Sequence, residues 1–192
     1  MPDIADEKRK IRTLVNSKKK EKTDTELDFS SEKILSFLES MDAFKESHNI
    51  FIYRNLPDEV RTSSFIEKWK DKKNIYLPFI KGDDIIFRKY TTDVPMATNS
   101  YGISEPVCND FLQYDNVTLI VVPGMAFDAS CNRLGRGKGY YDRLLPKLKC
   151  PKVGICFEFQ FFATIPAEPH DIKMDYVVTE KGMRARIQKN YP

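Results

Sequence analysis

Histidine is nearly absent: the 192 residues contain two, His48 and His170. The four cysteines, Cys108, Cys131, Cys150 and Cys156, include no C-x-x-C pair. The two scarcities together argue against a zinc site. They also leave no Ser–His–Asp or Cys–His set for nucleophilic catalysis. No apolar run approaches the roughly 20 residues that span a bilayer. The first 22 residues lack the apolar core of a secretory signal, so no membrane partner and a cytoplasmic chain with free thiols are expected. A basic surface is missing too. Residues 1–22 hold eight Lys or Arg against four Asp or Glu, while the other 170 hold 23 against 24. Positive charge is therefore a local N-terminal feature, and no nucleic-acid partner is expected. Neither G-x-x-x-x-G-K-[ST] nor G-x-G-x-x-G occurs, and no internal repeat or low-complexity segment is visible.

What is present reads as one ordinary globular domain over residues 1–192, with 41% apolar and 31% charged residues. Residues 4–20 have the pattern of a basic amphipathic helix, with Ile11, Leu14 and Val15 as a narrow apolar stripe. Lys8 and Arg12 are four apart and share one face. Thr23 to Glu26 fits a capping box before a second helix running to about Phe44, with an interruption around Phe29–Ser31. Asn49 to Tyr53 is a first strand. Ser64 to Glu67 fits another capping box, which leaves Glu59 in the preceding loop. Asn74–Ile80 and Ile85–Tyr90 pair as a hairpin at a sheet edge. Residues 91–115 have no clear period. Thr118–Val122, Lys152–Phe157 and Asp175–Thr179 are further strands, and the basic tail from Lys181 is only weakly periodic. Strands alternating with helices imply an α/β fold, a mostly parallel sheet flanked by helices with a β-hairpin edge.

The centre of the chain carries the chemistry. After the strand ending at Val122, Pro123-Gly124 breaks the run, and Arg133-Leu134-Gly135-Arg136-Gly137-Lys138-Gly139 leads into a helix start at Tyr140-Tyr141-Asp142. Alternating glycines let backbone N–H groups crowd around an anion. The helix N-terminus adds partial positive charge, and Arg133, Arg136 and Lys138 add full charges. A phosphate-binding loop at 133–139 is the reading these residues favour. Glu59, where a loop leaves the end of a strand, offers a paired acceptor for the N–H groups of a ligand. A first-turn helix charge is the plainer alternative there.

The sequence N-R-L-G-R-G-K-G-Y-Y-D-R, preceded by V-P-G-M-A-F-D, resembles the signature of the 5-formyltetrahydrofolate cyclo-ligase, or methenyltetrahydrofolate synthetase, family. Lys8 and Arg12, D-E-V-R-T at Asp58–Thr62, Y-G-I-S-E-P at Tyr101–Pro106 and His170-Asp171 fit the same family, so the likeness spans nearly the whole chain. The resemblance implies ATP-dependent closure of 5-formyltetrahydrofolate, in mono- or polyglutamylated form, to 5,10-methenyltetrahydrofolate by a monomer or weak oligomer. It implies that ATP is held by Lys8 and Arg12 and by Arg133, Leu134, Gly135, Arg136, Gly137, Lys138, Gly139, Tyr140 and Tyr141. It places Arg136, Lys138 and Tyr140 in catalysis, and Glu59, Tyr101, Arg136 and Tyr140 on the folate. Asp142 and Asp171 match the family's magnesium carboxylates. His170 itself reads as structural. One departure stands out: Arg54 occupies a position where the family lines the pterin pocket with an apolar residue. Two competitors remain, a non-catalytic paralogue that binds folate or nucleotide, and a dinucleotide-dependent redox enzyme, whose fingerprint spacing is missing.

Overall fold

Alternation in the strand segments decides which side chains face which layer. Ile50, Leu119, Val121, Ile75, Leu77, Val153 and Ile155 belong to one buried cluster, while their strand neighbours Phe51, Ile120, Val122 and Tyr76 belong to a second. A strand points successive side chains to opposite faces. Both faces here are apolar, so these strands need cover on both sides, as parallel strands in α/β proteins do.

A computed structural model describes residues 3–98, 102, 104–111 and 113–186. Its elements in chain order are α1 (Ile4–Lys20), α2 (Asp24–Ser40), α3 (Asp42–Lys45), β1 (Asn49–Phe51), α4 (Ser63–Trp69), β2 (Asn74–Lys81), β3 (Asp84–Lys89), β4 (Met96–Thr98), β5 (Ser104–Pro106), β6 (Asp110–Phe111), β7 (Leu119–Val122), β8 (Ala126–Asp128), β9 (Arg133–Leu134), α5 (Tyr140–Leu144), β10 (Lys152–Ile155), β11 (Phe161–Phe162), β12 (Tyr176–Thr179) and β13 (Gly182–Ala185).

The main sheet has the order β13-β12-β10-β7-β1-β2-β3-β6. The run β12-β10-β7-β1-β2 is parallel throughout, and β13 and β3 join it antiparallel on either side. The expected α/β architecture is present. The hairpin strand β3 is not the edge, however, because β6 pairs beyond it through Phe87 with Phe111 and Arg88 with Asp110. The start of the weakly periodic basic tail supplies β13, whose Gly182 takes φ +126° to turn out of β12. Two small sheets, β11-β8-β9 and β4-β5, complete the fold.

Helices α2 and α4 bury Ile34, Leu38, Phe65 and Ile66 against one face of the sheet, and α5 buries Leu144 against the other. The Thr23–Glu26 capping box forms in both directions. The interruption expected near Phe29–Ser31 does not occur. Ser31 is buried but satisfied, donating to Leu27 O and accepting from Arg61 N. The break comes instead at Met41, which is extended between α2 and α3.

The capping box expected at Ser64 does not form either. Helix α4 starts two residues earlier, after Thr62, with no side-chain cap of its own. Asn55 Oδ1 in the preceding loop accepts from Thr62 N at 3.0 Å and Ser63 N at 3.3 Å, and Glu67 turns to Tyr90 and Lys70. Asn55→Ala removes that external cap and should cost about 1–2 kcal/mol, read as a lower urea midpoint at unchanged slope. A midpoint equal to that of the parent would show that the cap contributes nothing.

Cys131, Cys150 and Cys156 are buried and Cys108 is half-buried, all of them free thiols. Burial pushes the Cys150 thiol up to about 11 and that of Cys156 well above the usual range. Alkylation of the native protein at neutral pH should therefore modify Cys108 alone, and denaturant should expose all four, as counted by intact mass.

Candidate functional site

The strand order reverses at β1: from it the chain moves to β2 on one side and later to β7 on the other. In open α/β sheets the crevice beyond the carboxyl ends at such a reversal is where ligands bind. A cavity of about 340 Å³ lies there. Tyr53, Arg54, Leu56 and Glu59 reach it from the loop after β1, and Pro123 and Gly124 from the end of β7. Pro78 and Ile80 of β2 and Ile85 of β3 give it an apolar wall. The opposite wall is Arg133 and the run from Gly135 to Asp142.

That run is shaped by two residues with positive φ, Gly137 at +97° and Gly139 at +70°. Either φ would strain a residue with a Cβ. A Cβ on Gly137 would meet nothing closer than the Arg12 guanidinium at 3.8 Å, so its backbone is open to solvent and ligand. The helix that follows, α5, has only five residues. Its dipole is correspondingly small, so capacity for an anion rests on backbone N–H groups and cations more than on the expected helix terminus.

The cations differ sharply in how free they are. Arg133 is not in the loop but in β9, with its side chain 4% exposed; it donates to Asp142 Oδ1 at 2.8 Å and Pro123 O at 3.3 Å, and its buried Nε has no partner. Leu134 is core, packed with Val15 and Ile165, so only its backbone is available to a ligand. Arg136 reaches across to the loop after β1, donating through Nη2 to Asp58 Oδ1 at 2.9 Å and to Glu59 Oε1 at 3.0 Å. Lys138 is exposed, and its ammonium has no ion pair or hydrogen bond among the described residues.

Glu59 sits in the loop rather than in α4, and its Oε2 accepts from Leu56 N at 3.0 Å. Tyr140 and Tyr141 both line the cavity. Burial first, and then the Glu59 charge, push the hydroxyls of Tyr53 and Tyr141 up; that of Tyr53 donates to Val60 O at 3.4 Å. Tyr101 lies outside the described residues.

Lys8 and Arg12 do not meet one acceptor. Arg12 Nε donates to Gly135 O at 2.9 Å, against the glycine loop. Lys8, 9% exposed, donates to Glu168 and Asp171, each at 2.7 Å. Burial opposes its charge, but the bonds to Asp171 and Glu168 outweigh that and raise its pKa. The same bond, against a burial effect of the opposite sign, holds Asp171 below the usual carboxylate range.

Asp142 and Asp171 are therefore differently placed. Asp142 lines the cavity with Oδ2 unbonded among the described residues, which fits a hard cation's need for a carboxylate oxygen. Asp171 is outside the cavity lining, with Oδ2 taken by Lys8 and Glu168 N. His170 is exposed, 3.8 Å from the Glu168 and Asp171 carboxylates.

The residues that sequence reasoning passed over are Asp58, Lys19, Glu105 and the apolar wall. Asp58 is adjacent to Glu59, and no local signal separates the two. Lys19 stands in a run of three lysines, and only its 8% exposure distinguishes it from Lys18 and Lys20. The expected α1 stripe is also revised: Leu14 is 45% exposed, whereas Lys8, Val15 and Lys19 are the buried residues.

No helix among the described residues is long and apolar enough to cross a membrane. The profile of the 5-formyltetrahydrofolate cyclo-ligase family matches residues 4–180. A probable 5-formyltetrahydrofolate cyclo-ligase of Schizosaccharomyces pombe is 32% identical, over 92% of this chain and 97% of that one. The solution structure of Aquifex aeolicus 5,10-methenyltetrahydrofolate synthetase is 34% identical and superposes with a TM-score of 0.87, covering 96% of this chain and 95% of that one. The 5,10-methenyltetrahydrofolate synthetase of Mycoplasma pneumoniae is 26% identical with a TM-score of 0.73, over 90% of this chain and 98% of that one. With a cavity at the strand-order reversal, a glycine loop on one wall and a family match along nearly its full length, the chain belongs to the 5-formyltetrahydrofolate cyclo-ligase family and is an enzyme of the ligase class.

Proposed function

We propose that this chain closes 5-formyltetrahydrofolate to 5,10-methenyltetrahydrofolate at the expense of ATP, releasing ADP and phosphate, in the cytoplasm. The observation that carries the reading is the contact between Arg136 and Glu59. It brings the phosphate-type loop and the folate-type carboxylate onto one cavity, so a triphosphate and a pterin held by the two would lie side by side.

The difficulty of the reaction is the formyl oxygen, a very poor leaving group. Its attack on the γ-phosphoryl group expels ADP and turns it into a phosphate ester. N10 then attacks the formyl carbon, the N10–C bond forms and the N10 proton is released. The C–O bond breaks as phosphate departs with the former formyl oxygen. The chain's task is to align the two substrates and to neutralise charge spreading over the transferring group. Lys138 and Arg136 supply mobile positive charge, and the backbone around Gly137 supplies N–H donors. Arg12 steadies the loop through Gly135 O. Glu59 accepts from the pterin's amino-pyrimidine edge, and Tyr140 packs against the substrate from the loop side. Asp142 would hold magnesium, with Asp171 a second-carboxylate candidate outside the cavity, and the ion bound with ATP would supply charge neutralisation at the phosphates.

The deciding assay mixes the protein with ATP, magnesium and 5-formyltetrahydrofolate. The conjugated methenyl product should accumulate only when ATP is present. A non-catalytic paralogue would bind one ligand and form no product. Glu59→Gln should raise KM for 5-formyltetrahydrofolate by about 10- to 100-fold, the range for losing a charged hydrogen bond. KM for ATP should change far less. Unchanged folate affinity would remove Glu59 from the pterin site.

A further inference from the structure

Helix α1 buries a lysine where an amphipathic pattern calls for an apolar residue. Lys19 lies one turn after the fully buried Val15, and its side chain is 6% exposed. Its Nζ donates to Asp58 Oδ2 at 2.8 Å. Asp58 in turn accepts from Arg136 Nη2, at 2.9 Å on Oδ1 and 3.0 Å on Oδ2, and the same Nη2 reaches Glu59 Oε1 at 3.0 Å. Four charges thus alternate from α1 into the cavity: Lys19, Asp58, Arg136, Glu59. Two are positive and two are negative.

A buried ion pair is seldom retained for stability, since an apolar replacement often does as well. Lys19 has a different consequence. Without it, Arg136 would be the only cation among the described residues serving two carboxylates, and the cluster would carry a net negative charge at the cavity wall. An arriving polyanion would then meet repulsion, and Arg136 would leave two uncompensated acids behind in turning toward it. With Lys19 in place Asp58 keeps a partner whatever Arg136 does. In Asp58, burial acts to raise the carboxyl pKa, yet the Lys19 bond and the two cations hold it below the usual range, so it stays ionised.

We propose that Lys19 is a positioning residue for the nucleotide: by neutralising Asp58 it releases the Arg136 guanidinium to serve the triphosphate. The inference rests on the ATP-dependent reading given above. Lys19 does not line the cavity, so it acts through Asp58 and Arg136 and not by touching substrate.

The test compares wild type, Lys19→Met, Lys19→Arg and the double variant Lys19→Met/Asp58→Asn. ATP affinity is measured by calorimetry, and KM is measured separately for ATP and for 5-formyltetrahydrofolate. Lys19→Met removes one partner and leaves Asp58 to Arg136, so it should fold with some loss of stability and bind ATP about tenfold more weakly, the size expected for one screened unit charge close to the anion. Its KM for the folate should stay within about twofold. Lys19→Arg should retain parent ATP affinity. The double variant, which removes the acid along with its counter-charge, should recover most of the loss. A purely structural lysine would move both KM values together, and Asp58→Asn would then change both together as well. Parent-like ATP affinity in Lys19→Met, or no recovery in the double variant, overturns the proposal. If wild type binds ATP and the variants follow the expected order, yet no methenyl product forms, the reaction assigned above fails and the role of Lys19 stands. If wild type binds no ATP, both fail.

Discussion

Lys138→Ala lowers kcat for methenyl formation by about 10²-fold or more, the usual cost of removing one charge-stabilising donor from a transferring group. The structure makes Lys138 a cleaner probe than Arg136. Its ammonium is exposed and has no partner among the described residues, so truncation breaks no internal contact. Stability should therefore stay within about 0.5 kcal/mol of the parent, as for surface positions generally. Arg136→Ala should cause a loss of similar size, but it also strips a cation from Asp58 and Glu59 and so disturbs the folate side. The two variants separate on KM: Lys138→Ala should leave KM for 5-formyltetrahydrofolate near the parent value, and Arg136→Ala should change it. Steady-state kinetics with each substrate varied in turn decides the matter. Full turnover in both variants would show that residues 133–139 are not the site.

Phe127→Ala destabilises the fold by about 3–5 kcal/mol, the range for truncating a buried aromatic. Domains of this kind are stable by only about 5–15 kcal/mol, so the loss is a large share of the total. Phe127 is fully buried in β8, between the end of β7 and β10. A Cβ on Gly124 would lie 2.6 Å from its ring, and one on Gly154 would lie 2.4 Å from it. The ring thus fills the space that two glycines leave open; Gly154 is held in the ladders of β10 with β7 and β12, and Gly124 O accepts from the buried Gln160 Nε2, so neither backbone is free to collapse inward. Gly154→Ala by itself should also destabilise, by overpacking. In the Phe127→Ala background the same alanine gains room, so the two changes should be less costly together than their sum. Urea titrations of the four proteins measure that coupling. Additive effects would contradict the packing described.

Much of this was legible locally. The capping box at Thr23 needs only four consecutive residues, and it forms as its spacing implies. The apolar run at Thr118–Val122 and the alternating glycines of 135–139 are properties of short segments. The family likeness rests on identities in order along the chain, and the profile match over residues 4–180 agrees with it. Where local reasoning failed, a distant group had taken over. Asn55 caps α4 in place of Ser64, and Asp110–Phe111 covers the edge that β3 seemed to present.

The sequence by itself determined that strands alternate with helices, that a glycine-rich cationic loop follows a buried strand, and to which family the chain belongs. Each of these is written in residue order or in periods of two and 3.6. Only the tertiary structure decided which charges are spent and which are free. Lys8, Lys19, Arg133 and Arg136 are bonded to carboxylates at separations of 9 to 163 residues, while Lys138 is not. Charge pairing depends on distance and burial in the folded chain, and neither is encoded in the spacing of a lysine from its neighbours.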